Sequence, residues 1–179
     1  MDGEPLMSKY HQDDENISDG VNLLISILVC YPEIGTINFD PRTNSLKLTF
    51  ILSNLSTQTK CMEFKQLLTD SISAYHLLEN TNMKIAEIEF STYGQMTMMH
   101  IIRDVCSLTK AEIALIITLL RDKFQDRLVI DYNDSLLEED LVMQEEVIET
   151  MLESMKKQYH GNNSLIGIRE DGRVLVFNK

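Results

Sequence analysis

"TINFDPRTNSLKLTFIL", residues 36–52, alternates apolar and polar side chains on both sides of the tetrapeptide 41–44. Period-two alternation broken by Pro and Asn is the pattern of two antiparallel strands joined by a turn. It puts Ile37, Phe39, Leu46, Leu48 and Phe50 on one face. Such a face needs a cover, and the segments on either side have the periodicity of helices. On the N-terminal side, Ser18 can cap a helix running to Cys30, which Pro32 prevents from continuing. Residues 1–17 are acidic and aperiodic, so they read as a flexible arm ahead of a single domain spanning 18–179. On the C-terminal side, Cys61, Phe64, Leu68, Ile72, Tyr75 and Leu78 recur every three or four residues, which predicts a helix over 58–79.

"KIAEIEFSTYGQMTMMHIIRDV", residues 84–105, reads as a second hairpin turning at Tyr93 and Gly94. That turn faces Ala86, Ile88 and Phe90 inward beside Thr97, Met99 and Ile101. It sends Glu87, Glu89, Met98, His100 and Ile102 to the other face, with Glu87 directly opposite His100. Thr109-x-x-Glu112 is a capping box, in which hydroxyl and carboxylate each satisfy an amide of the first turn. Apolar residues around most of the following helix, from Ile113 to Leu120, predict deep burial. Residues 127–132 read as a short strand or an extended connection. Ser135-x-x-Glu138 then opens the longest helix and Gly161 closes it. Leu137, Leu141, Ile148, Met151 and Met155 form a near-heptad seam there, interrupted by Gln144, that fits either its own sheet or a coiled-coil partner.

The final segment, 165–179, turns at Asp171 and Gly172. This sets Glu170 against Arg173, Ile168 against Leu175 and Ile166 against Phe177. The last four form an apolar face expected to be too large to stay exposed. Leu165, Gly167, Val174 and Val176 point the other way, beside Arg169, which a core position does not explain. The order is thus αββ-αββ-ααββ. The expected fold class is α+β, an antiparallel sheet built from three β-hairpins with helices packed on it.

The balance of 16 Lys+Arg against 28 Asp+Glu repels polyanions, which disfavours nucleic acid. Cys30, Cys61 and Cys106 are scattered and odd in number, as expected of reduced thiols in the cytoplasm. The apolar run 21–31 is too short to cross a bilayer, and neither a signal peptide nor a membrane anchor is expected. No Gly-x-Gly-x-x-Gly, Gly-Lys-Ser/Thr or Gly-x-Ser-x-Gly motif occurs. Residues 131–142 lack the Gly and final Glu of an EF-hand loop, so no cofactor or metal is called for.

Glu87, Glu89 and His100 are the one constellation with chemical potential, because a carboxylate beside an imidazole can orient it for acid–base or metal chemistry. Ile85, Met98 and Ile102 on the same face suggest that something covers it, a helix of the same chain first and a second subunit next, and Arg169 is a further interaction candidate. The leading expectation is a non-enzymatic cytoplasmic interaction or regulatory domain acting on a protein partner or itself as a homodimer. The alternatives are a small enzyme or ligand- or metal-sensing domain using the Glu/His face, and an RNA-binding α+β domain using the C-terminal basic residues.

Overall fold

The computed structural model describes residues 15–55, 58–131, 138–157 and 163–178. In chain order the elements are helix α1 (Glu15–Cys30), strands β1 (Thr36–Asp40) and β2 (Ser45–Ser53), and helix α2 (Gln58–Glu79). Strands β3 (Ala86–Tyr93) and β4 (Met96–Asp104) follow, then α3 (Lys110–Phe124), a 3-10 turn (Gln125–Arg127), α4 (Glu138–Lys157), β5 (Leu165–Glu170) and β6 (Arg173–Asn178). The six strands form one sheet in the order β3-β4-β2-β1-β5-β6, with every neighbouring pair antiparallel. The fold is α+β, and the β1–β2 hairpin lies at the centre of the sheet.

Ile37, Phe39, Leu46, Leu48 and Phe50 are all buried on one face, as their alternation requires. The helices lie on this face. Extended from Gly167, a Cβ atom would run into Leu28 of α1 and touch Leu24. Ile72 of α2 lies beside Ile88 and Ile101 of β3 and β4, and Phe64 of α2 meets Phe124 of α3 edge-on at 5.0 Å. Helix α4 lies along α1, where the Ser26 hydroxyl donates to Gln144 Oε1 at 2.8 Å. The seam residues Ile148 and Met155 are buried there, so α1 of the same chain occupies the seam. The polar Gln144 that interrupts it is the one that bonds Ser26. Ser135, Leu137 and Gly161 lie outside the described residues.

Several local expectations change. Helix α1 is already under way at Glu15, so Ser18 sits inside it rather than capping it. Helix α3 buries one face only, with Ala114 exposed and Leu115 half-buried. Residues 128–131 form an extended connection, bridged at Leu128 to Leu52.

The β3–β4 turn falls on Gly94 and Gln95, because Tyr93 pairs with Met96 and Gly94 has φ +61°. A two-residue hairpin with glycine first is the type II′ solution, whose twist matches the strands, whereas Tyr93 in the first position would have to take positive φ. Moving the turn by one residue shifts the pairing by two, so every side chain keeps its expected face. Glu87, however, now stands opposite Ile102, and Glu89 opposite His100.

The β5–β6 hairpin has the expected pairs. Its turn residues Asp171 and Gly172 take φ +52° and +76°, both positive as a type I′ turn requires. The buried side is nevertheless the one carrying Leu165 and Gly167, while Ile166, Ile168 and Leu175 are half-buried and Phe177 is exposed. The apolar quartet expected in the core therefore faces away from the helices. Helix α1 packs so closely on β5 that only glycine fits at 167, and this decides which side of the hairpin turns inward.

Candidate functional site

The helix-free face of the sheet carries two apolar groups separated by a polar strip. Reading across the strands, one row runs Leu175, Ile168, Thr36, Thr49, His100, Glu89, and the next runs Phe177, Ile166, Asn38, Lys47, Ile102, Glu87. Met98 and Ile51 extend the group at the β3–β4 end, and both are half-buried. Ile85 is half-buried just before β3, its backbone N–H donating to Asp104 Oδ1 at 3.0 Å. Tyr93, Met96 and Phe177 are exposed by 64%, 36% and 44%, more than side chains under a cover. A shallow depression between the two apolar groups is lined by Asn38, Asp40, Lys47 and Ile102.

His100 is held between two hydroxyls, with Nδ1 2.9 Å from Thr49 Oγ1 and Nε2 3.2 Å from Ser91 Oγ. A neutral imidazole has one N–H and one bare nitrogen, so one hydroxyl accepts and the other donates. Burial lowers the pKa of His100 below its ordinary 6.5 and Lys47 acts in the same direction, while Glu89 opposes them. The ring is neutral near pH 7 with both nitrogens engaged. Glu87, Glu89 and His100 share a face, but they form neither a carboxylate–imidazole hydrogen bond nor an open metal site. Among the described residues no group of three His, Cys, Asp or Glu could hold a metal ion.

The densest polar cluster lies on the other face, inside the core. Arg103, at the inward end of β4, is 1% exposed, and the β4 alternation that buries Met99 and Ile101 aims it there. Its Nε donates to Glu112 Oε2 at 2.6 Å and its Nη2 to Glu112 Oε1 at 2.8 Å. Its Nη1 donates to the Ile85 carbonyl at 2.7 Å and to Asp104 Oδ1 at 2.5 Å, and Ser107 Oγ accepts from Nη2 at 2.9 Å. His76 places Nε2 2.5 Å from Glu112 Oε1 and Nδ1 2.6 Å from Thr81 Oγ1. The capping box is thus half used: Thr109 Oγ1 accepts from the Glu112 N–H at 3.1 Å, while the Glu112 carboxylate turns to Arg103 and His76.

Burial alone would raise the pKa of Asp104. Donors from Ile85, Ser107 and Arg103 overcome it and hold the carboxyl at about 2. Because Arg103 donates to protein acceptors from all three of its nitrogens, the cluster is a closed structural network rather than a reactive centre. Of its members the sequence singled out Glu112 alone, and only for the capping box. His76 continues the four-residue spacing of Phe64, Leu68 and Ile72, and Arg103 the alternation of Met99 and Ile101, so each was legible as an inward polar residue.

Arg169 also has its partners inside the fold. Its Nε donates to the Ile34 carbonyl at 3.0 Å, and its Nη2 to the Tyr31 carbonyl at 2.8 Å and to the Leu28 carbonyl. Helix α1 has no basic residue in its last turn, so the guanidinium supplies the cation that its C-terminal carbonyls favour. Of the other C-terminal cations, Lys156 pairs with Glu153 at 2.8 Å.

No helix among the described residues is long and apolar enough to cross a membrane. No protein-family model, curated protein or solved structure matches this chain.

Proposed function

We propose that this chain is a non-enzymatic protein-interaction domain whose working surface is the helix-free face of its sheet. One observation carries the reading: the described helices lie on one face of a six-stranded sheet, and the other keeps apolar side chains from both ends partly exposed. Antiparallel sheets often present one face to water, but that face is then polar, and contiguous exposed apolar residues mark contacts with other proteins. Lys47, Glu87 and Glu89 on the same face supply a polar surround for the apolar groups, the composition usual at interfaces. The closed hydroxyl clamp on His100 argues against acid–base or metal chemistry at that face. A cytoplasmic location is part of this reading and is supported by Cys30, Cys61 and Cys106, all free thiols.

The test is the double variant Ile102→Lys/Ile168→Lys. Both residues are half-buried on the open face, so the thermal transition is expected to stay close to that of the parent. Proteins cross-linked to the parent in cells are expected to be lost from this variant and kept by Leu77→Lys on the exposed side of α2. Unchanged cross-links in the face variant would refute the proposal.

A further inference from the structure

We infer that β6 is the docking edge for a second copy of this chain, joining two sheets into one continuous twelve-stranded sheet. The inference rests on the reading of the sheet as an interaction surface and names its first partner.

Strands β3 and β6 are the two edges of the sheet. In the β5–β6 hairpin the pair flanking the two-residue turn, Glu170 and Arg173, is hydrogen-bonded, and bonded pairs recur at every second residue. The backbone N–H and C=O groups of Val174 and Val176 therefore point away from β5. Among the described residues no strand lies there to receive them. Natural edges are shielded by charge, proline or bulges. Strand β3 carries Glu87 and Glu89, both exposed. Strand β6, "RVLVFN", has no proline and no acidic residue, and its only charge is Arg173 at the turn end.

The occupant follows from self-complementarity and charge. An isologous strand pair requires each residue to accept its own partner under a twofold axis. Centred on Leu175, the sequence meets this condition: Leu175 faces Leu175 of the second copy, Val174 faces Val176, and Arg173 lies beside Phe177, where a cation can rest on the ring. Val174 and Val176 exchange main-chain bonds with the same residues of the other copy. Each copy carries a net charge of −12, so association demands an edge without carboxylates, and β6 is that edge. The twofold axis is perpendicular to the sheet, which places both open faces on the same side. Ile166, Ile168, Leu175 and Phe177 of the two copies then meet as one central apolar patch.

Leu175 decides the test, because its side chain is only half-buried and lies at the axis, where the paired Cα atoms would be about 4.5 Å apart. In sedimentation equilibrium the parent is expected to be a dimer. Leu175→Glu and Leu175→Lys are each expected to halve the mass while keeping the parent's circular dichroism, and their equimolar mixture is expected to recover the dimer. Val176→Pro, which removes one outward N–H, is also expected to give a monomer. A monomeric parent at millimolar concentration overturns the inference, as do Leu175 variants that remain dimeric, or a mixture that stays monomeric. Because Ile168 also lies in that central patch, the Ile102→Lys/Ile168→Lys comparison is read on cross-links to proteins other than a second copy of this chain: their loss beside a monomeric parent would sink the dimer alone, and their retention beside a β6 dimer would sink only the wider reading.

Discussion

Arg103 shows how a single residue can commit a core. Buried guanidinium and carboxylate groups are costly to strip of water and are tolerated only when every donor and acceptor finds a partner. Arg103→Met would leave Glu112 and Asp104 as buried carboxylates without their cation. It is expected to cost about 3–5 kcal/mol, measured as a lower midpoint in urea unfolding. The pH response of Asp104 has a definite sign. Its carboxyl titrates at about 2 in the fold against an ordinary 3.8, so its stabilisation is complete above about pH 4 and is lost as the pH falls towards 2. Asp104→Asn should flatten the unfolding midpoint across that window. At His100 the folded pKa also lies below its ordinary 6.5, though for a cationic acid. Stability there declines as the pH drops below 6.5 and levels once the folded form is protonated, and His100→Gln should remove this slope. Periodicity alone placed Met99 and Ile101 in the core and, carried two residues further, places Arg103 there. That its carboxylate comes from the start of α3 and its histidine from the end of α2 was not legible, because nothing local links positions 76, 103 and 112.

At the level of elements, α1 and β5 determine one another. Arg169 reaches back over more than a hundred residues to close the C-terminal end of α1. Charged hydrogen bonds of this kind contribute about 1.5–3 kcal/mol, and Arg169→Met is expected to lower stability by that order in thermal unfolding. Gly167 sets how closely the two elements approach. A Cβ there would lie 2.8 Å from Leu28 Cδ1 and 3.0 Å from Ile37 Cγ2. Gly167→Ala is accordingly expected to cost about 1–3 kcal/mol through overpacking, read as a lower melting temperature. The helix over 58–79 and all three hairpins were legible, since helical spacing and alternation with turn residues are local signals. Which side of the last hairpin faces inward was not. Both sides are apolar, and the choice rests on a glycine whose value is the space it leaves for a helix distant in sequence.

Across the whole molecule, the C-terminal hairpin is part of the core although it comes last in the chain. Strand β5 pairs with β1, and α1 rests on β1, β5 and β6. Deleting residues 163–179 would bare the edge of β1 and the sheet-facing side of α1. The truncated chain is expected to lose its cooperative unfolding transition and to aggregate, as circular dichroism and light scattering would show. By itself the sequence determined the elements, their order, the α+β class and the face taken by each side chain of the first two hairpins, because periods of two and of about 3.6 residues are written into consecutive positions. Only the tertiary structure decided the strand order, the two-residue register of the middle hairpin, the inward side of the last one, the closed charge network around Arg103 and the collection of the helices on a single face. Each of these depends on contacts between residues tens to more than a hundred positions apart, or on which of two nearly equivalent turns has the better twist. Pairings of that kind leave no periodic trace in the chain.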